Sequence, residues 1–138
     1  MTLLAIDIGN TNIVFACFDS GENTFRGIWR LRTDRGRTAD EYAAFLRNVM
    51  SANDQDWGGV KAIIVSSVVP EIDRDITEFC EKYIRIAPVF VKREMVGVAA
   101  NIDRPDDIGA DRLVNAKAAA HFHQTPAIVV DFGTATTF

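Results

Sequence analysis

Two segments, 124 positions apart, are built on one plan. Asp7-Ile8-Gly9-Asn10-Thr11 and Asp131-Phe132-Gly133-Thr134-Ala135-Thr136 each follow an apolar run. Each then sets an Asp, an apolar residue and a Gly ahead of small hydroxyl or amide residues. The repeat asks for two strand-and-turn units of the same shape. Gly lets the backbone bend tightly and approach a ligand closely. A tight turn rich in N–H groups makes a cradle for an anion. Asn and Thr side chains add donors for phosphate oxygens, and an Asp at the strand end can hold a hydrated cation beside them. One copy alone reads better as a plain hairpin turn; two copies favour a phosphate site. Neither fits the pattern G-x-x-x-x-G-K-[ST], and no G-x-G-x-x-G is present, so P-loop and Rossmann nucleotide sites are excluded.

The segments between the copies alternate in period. Residues 3–8 are an apolar run that suits a buried strand, residues 9–12 a turn, and residues 13–18 a second strand, which together read as a hairpin. After a turn at 19–23, Phe25, Ile28, Trp29 and Leu31 mark a third, less regular strand. Thr38 with Glu41 has capping-box spacing, and Tyr42, Phe45, Leu46 and Val49 follow at helical spacing. Residues 62–65 read as a strand, Pro70 opens a second helix, and Ile72, Ile76, Phe79, Cys80 and Tyr83 give that helix an apolar face. Residues 87–91 read as a strand. Residues 92–107 have no clear period, and such a long irregular stretch in a compact domain points to function. Helix formers run from Asp111 to Phe122, and residues 127–130 read as a last strand. The order β-β-β-α-β-α-β-α-β specifies an α/β domain with a mixed sheet.

Composition narrows the partners. With 138 residues, 48% apolar and 25% charged, the chain is ordinary globular material. No apolar run approaches the ~20 residues of a membrane helix, and no secretory signal pattern opens the sequence, so the expected compartment is the cytosol. A net charge of −4, from 15 basic and 19 acidic residues, argues against nucleic acid as a partner. Arg26, Arg30, Arg32, Arg35 and Arg37 cluster locally, and read better as a solvated strand and loop than as a phosphate patch. Cys17 and Cys80 lie in apolar surroundings and read as reduced core residues. His121 and His123 have too few partners for a zinc site and read as helix-end residues.

A second constellation is Gly109-Ala110-Asp111-Arg112, at the expected start of the third helix. A helix N-terminus attracts anions. Arg112 has a guanidinium that grips a carboxylate or phosphate with two parallel bonds, and Asp111 is placed to take a proton from a hydroxyl. Spacing alone favours a plainer reading, in which Asp111 complements the helix dipole and Arg112 pairs with it or with Asp107.

Two hairpins that open on Asp-x-Gly and run on into Thr, heading similar halves, resemble the actin, sugar-kinase and heat-shock-chaperone ATPase superfamily. Within it, residues 7–12, 109–112 and 131–136 together are similar to the motifs of type III pantothenate kinases, as are Thr38-x-Asp40-Glu41-Tyr42 and Ser66-Ser67-Val68-Val69-Pro70. The match runs along the whole chain in order, and the three-motif combination is far more specific than any motif alone. The resemblance implies a ribonuclease-H-like, actin-type fold, with residues 1–125 as the first domain and residues 126–138 as the opening strand and loop of a second. It also implies phosphorylation of pantothenate by ATP with Mg2+, the first step of coenzyme A synthesis. By motif, Asp7, Ile8, Gly9, Asn10, Thr11, Asn12, Ile13 and Val14 would form the first phosphate loop, with Gly133 and Thr134 contacting ATP from the second. Gly109, Ala110, Asp111 and Arg112 would contact pantothenate, with Asp111 as the catalytic base. Asp131 would hold a monovalent cation, K+ or NH4+, and the parent would be a homodimer. Members are nearly twice this length, so the chain is expected to be an N-terminal half, inactive alone. Ile102 stands where the family often has an aromatic residue against the substrate. The competing readings are a non-catalytic accessory protein of the same fold, or a superfamily ATPase or phosphatase.

Overall fold

The computed structural model describes residues 1–99, 101–104, 107–133 and 135–137, which form two compact units, Met1–Phe90 and Val91–Phe138.

In the first unit, strict alternation builds the sheet. β1 (Thr2–Ile8) and β2 (Asn12–Asp19) send every second residue into the core: Leu4, Ile6 and Ile8 from one, Ile13, Phe15 and Cys17 from the other. They pair antiparallel, Asp7 opposite Val14, and β2 pairs antiparallel with β3 (Thr24–Arg32). β3 shifts register opposite Cys17 and Phe18, which accounts for its irregular pattern in the sequence. β4 (Val60–Ser67) crosses over to lie parallel to β1, and the two-residue β5 (Val89–Phe90) lies parallel to β4. The order is β3-β2-β1-β4-β5, with two antiparallel and two parallel pairings. This is the mixed sheet expected, although the strand foreseen over residues 87–91 shrinks to its middle two residues.

Helices cover one face. α1 (Ala39–Ser51) starts on the expected capping box: Glu41 N–H donates to Thr38 Oγ1, and Thr38 N–H donates to Glu41 Oε2 at 2.8 Å. It buries Tyr42, Leu46 and Met50. Pro70 opens a single 3-10 turn (Pro70–Ile72) that runs into α2 (Asp73–Phe79), which buries Ile76 and Phe79. The Phe15 ring meets Phe79 edge-on, centroids 6.3 Å apart, and tilts against Tyr42 at 6.5 Å. Cys17 and Cys80 are free thiols in this core, and burial pushes them up to about 11 and about 12.

The arginine cluster is spread over strand and loop, as expected. Arg26 pairs with Asp19, Arg35 with Glu71 at 3.5 Å, and Arg37 donates to the Arg32 carbonyl and lies over the Tyr42 ring.

The second unit contains α3 (Arg93–Val96), α4 (Ala110–Phe122), β6 (Asp131–Phe132) and β7 (Thr136–Thr137). α3 was not foreseen in the irregular stretch; it stops at Gly97, whose φ of 64° is the left-handed turn that ends helices. His121 lies in the last turn of α4, and His123 caps it, its N–H bonded to the Ala119 carbonyl. The strand expected over residues 127–130 is absent. Those residues are exposed and unpaired among the described residues, with Ile128 86% exposed, and pairing begins only at Asp131. An apolar run marks a segment suited to burial, but a strand needs a neighbouring strand to bond with. No described helix is long and apolar enough to cross a membrane.

Candidate functional site

The candidate residues divide between the two units: 7–14 in the first, and 109–112 with 131–133 in the second. Thr134 lies outside the described residues.

Asp7 sits near the C-terminal end of β1, exposed, between Val14 on β2 and Ser66 on β4. The chain then turns in four residues. Gly9 N–H donates to the Asn12 carbonyl at 2.9 Å, and a Cβ on Gly9 would stand 3.2 Å from that same oxygen. Glycine therefore lets the turn close tightly. Asn10 and Thr11 are exposed at its tip, whereas Ile8 and Ile13 are buried on either side. Those two isoleucines anchor the loop in the core, and only their backbone is left to face a ligand.

Three further bonds hold the turn. Thr33 Oγ1 donates to the Gly9 carbonyl at 2.6 Å, Thr33 N–H donates to the Thr11 carbonyl at 2.9 Å, and Val68 N–H donates to the Ile8 carbonyl at 3.0 Å. Thr33 was missed by sequence reasoning, because it lies in a polar loop with no periodic signal; only the pairing of β2 with β3 brings it to Gly9. Residues 66 and 67 of the Ser-Ser-Val-Val-Pro motif have different surroundings. Ser67 Oγ donates to Asp73 Oδ1 at 2.6 Å and accepts from Val69 N–H at 3.2 Å. Ser66 is buried, and its hydroxyl has no hydrogen-bond partner among the described residues. The Thr38–Tyr42 motif is used for packing: beyond the capping box, Asp40 accepts from Lys82 Nζ and Tyr83 OH, both at 2.7 Å.

In the second unit, α4 begins just after Gly109, whose carbonyl accepts from Leu113 N–H at 3.3 Å. Leu113 is buried and fixes this end of the helix. Asp111 is half-buried, and its Oδ1 accepts the Arg112 N–H at 2.8 Å. Arg112 is exposed and makes no ion pair among the described residues, while Asp107 pairs with Arg104 at 3.1 Å. The pairing of Arg112 with Asp107 considered from the sequence is thus replaced by Arg104 with Asp107. Asp131, half-buried, starts a hairpin in which it faces Thr137. Gly133 N–H folds back to the Ala135 carbonyl at 3.2 Å. The repeat seen in the sequence is therefore repeated in space: both copies are hairpins with an Asp on the first strand, two residues ahead of a Gly whose N–H closes the turn. Among the described residues, no three His, Cys, Asp or Glu side chains gather to hold a metal ion.

The profile of the type III pantothenate kinases matches residues 3–138. The chain belongs to the type III pantothenate kinase family. It is 46% identical, over 138 residues, to a type III pantothenate kinase of Paramagnetospirillum magneticum, covering 99% of this chain and 52% of that one. The chain thus spans about half the length of this curated relative. Among solved structures it overlaps in part with a Ppx/GppA family member of Aquifex aeolicus, at TM-score 0.42 and 14% identity over 70% of this chain and 37% of that one. It overlaps similarly with YeaZ of Pseudomonas aeruginosa, at TM-score 0.42 and 12% identity over 67% of this chain and 45% of that one.

Proposed function

We propose that the protein carrying this chain transfers the γ-phosphoryl group of ATP to the primary hydroxyl of pantothenate, opening coenzyme A biosynthesis. One observation carries the reading: residues 3–138 match the pantothenate kinase profile. Asp7, Asp111 and Asp131, which the motif resemblance singles out, lie at or next to the ends of their elements. The presence of all three acids stands against a non-catalytic accessory protein. Residues 109–112 stand against an ATPase or phosphatase, which has no use for a pantothenate contact.

Phosphoryl transfer asks little covalent chemistry of a protein, and depends on positioning and charge stabilisation. In this reading the turn at residues 9–12, pinned by Thr33, presents backbone and the Asn10 and Thr11 side chains to phosphate oxygens. Gly133 and Thr134 serve the same end from the second hairpin. Arg112 grips the pantothenate carboxylate, and Asp111 accepts the proton of the attacking hydroxyl. The α4 N-terminus adds a partial positive charge beside both. Mg2+ supplies charge neutralisation for the transferred phosphate. Asp7, with no cage of carboxylates around it among the described residues, fits a cation that keeps most of its water. Asp131 is assigned to a monovalent cation, K+ or NH4+. The domain division at residues 125 and 126, a homodimeric assembly and a cytosolic location complete the proposal.

The test is a coupled assay of protein at the family's full length bearing this sequence, with ATP, Mg2+ and pantothenate. Pantothenate-dependent ADP release with formation of phosphopantothenate is expected. ATP hydrolysis that ignores pantothenate, or no turnover at all, would overturn the reading.

A further inference from the structure

Ser66 and Asp7 face each other across the parallel pair β1 and β4. The preceding pair, Ile6 and Val65, points into the core at 2% and 0% exposure. Side chains alternate along a strand, so Asp7 and Ser66 share the opposite face. Neighbouring strands lie about 4.8 Å apart, which makes a carboxylate and a hydroxyl immediate neighbours at the strand ends. Ligands of open α/β sheets collect at the carboxyl ends of their parallel strands, and the turn at Gly9 begins two residues beyond Asp7.

Two buried hydroxyls lack a hydrogen-bond partner among the described residues, those of Tyr42 and Ser66, and of the two it is Ser66 that stands beside Asp7 at the strand ends. Ser66 is 8% exposed, yet its Oγ has no partner among the described residues. A buried hydroxyl without a hydrogen bond is costly, and native structures hold few of them. Ser67, next along the strand, shows what a purely structural serine does here: it is bonded to Asp73 and to Val69 N–H. No set of three carboxylate, His or Cys side chains forms among the described residues, so the oxygens Asp7 and Ser66 offer do not make a closed metal cage. They suit Mg2+, which sheds water reluctantly and is held by one or two carboxylates together with substrate phosphates.

We propose that Ser66 is a binding residue for the hydrated divalent cation that accompanies the nucleotide. Its oxygen accepts a hydrogen bond from a cation-bound water beside the Asp7 carboxylate. This rests on the kinase reading above, and adds to it a residue with no assigned role.

The experiment is calorimetric titration of ADP into protein at the family's full length, with Mg2+ and with EDTA, alongside melting temperatures of the ligand-free proteins. Wild type should bind ADP more tightly with Mg2+. Ser66→Ala should weaken Mg2+-dependent ADP binding about tenfold, the order of one lost hydrogen bond to a charged assembly. Its affinity in EDTA should be unchanged. Its ligand-free melting temperature should be equal to wild type or higher, because an unpartnered hydroxyl has been removed. Ser67→Ala should do the reverse, melting lower while keeping the Mg2+ increment. A Ser66→Ala protein that retains the full increment overturns the proposal, as does one that melts several degrees lower without ligand. Equal loss of the increment in Ser67→Ala overturns it too. Absence of any ADP binding by wild type overturns the kinase reading first and the proposal with it.

Discussion

The Thr33 hydroxyl donates to the Gly9 carbonyl at 2.6 Å, tying the end of β3 to the tight turn that follows β1. With the Thr33 N–H on the Thr11 carbonyl, one residue secures both sides of the loop. Thr33→Val keeps the shape and the N–H bond but removes the hydroxyl. It should destabilise the protein by about 0.5–1.5 kcal/mol, the usual net worth of such a bond. Amide exchange at Gly9 and Asn12 should quicken more than exchange in β4. Hydrogen exchange followed by residue checks this; uniform protection in the variant would make Thr33 a bystander.

Much of the architecture was legible because burial writes period into sequence. The alternation in β1 and β2, the capping box at Thr38 and the spacing of Tyr42 and Leu46 all gave the correct elements. The tight turn at Gly9 was legible for another reason: a close turn needs Gly. What stayed hidden was nonlocal. Thr33 acquires its role only through β2–β3 pairing, and the contrast between Ser66 and Ser67 depends on which face each takes. Residues 127–130 misled because apolar composition reports suitability for burial, whereas their exposure depends on what lies beside them.

Gly27 makes room for Trp29. A Cβ at position 27 would stand 2.4 Å from the Trp29 ring, closer than side chains approach. Trp29 is 9% exposed and packs with the core beside Phe15 across the strand pair. Gly27→Ala must therefore displace the ring, and should cost about 1–3 kcal/mol, as overpacking does. Thermal melts and Trp fluorescence read the two consequences. An unchanged melting temperature with an unchanged spectrum would mean that the ring shifts freely.

Asp40 links the start of α1 to the turn after α2. The Lys82 bond, first, and the Tyr83 bond hold its carboxyl below the usual range; Asp40 in turn raises Lys82 and Tyr83. A lowered carboxylate contributes stability above its unfolded value near pH 4 and loses it as pH falls through the lower folded value. The raised Lys82 and Tyr83 contribute below about pH 10 and lose it as pH rises through their folded values. Asp40→Asn should therefore flatten the melting-temperature profile at both its acid and its alkaline ends. All three groups are solvent-accessible, so the difference should shrink in high salt. Melts from pH 2 to 11 at two salt concentrations test this, and profiles that stay parallel would remove Asp40 from the account.

Asp111 is bonded to the first turn of its own helix, since its Oδ1 takes the Arg112 N–H at 2.8 Å. That contact suits an acid in the first turn that complements the helix N-terminus, while the family reading makes the same carboxylate a base. Asp111→Asn separates the two. The amide oxygen still accepts the N–H. Only the charge at the helix dipole is lost, about 0.3–1 kcal/mol. Basicity, however, is abolished. If Asp111 takes the pantothenate proton, kcat should fall at least about 10²-fold while ATP affinity and melting temperature stay near wild type. Arg112→Lys is the companion. It keeps the charge but lacks the planar fork that grips a carboxylate, so it should raise KM for pantothenate more than KM for ATP. Steady-state kinetics on both variants decide the matter. Near-normal kcat in Asp111→Asn would leave the residue as a first-turn acid alone, and a rise confined to the ATP KM in Arg112→Lys would move that side chain to the phosphates.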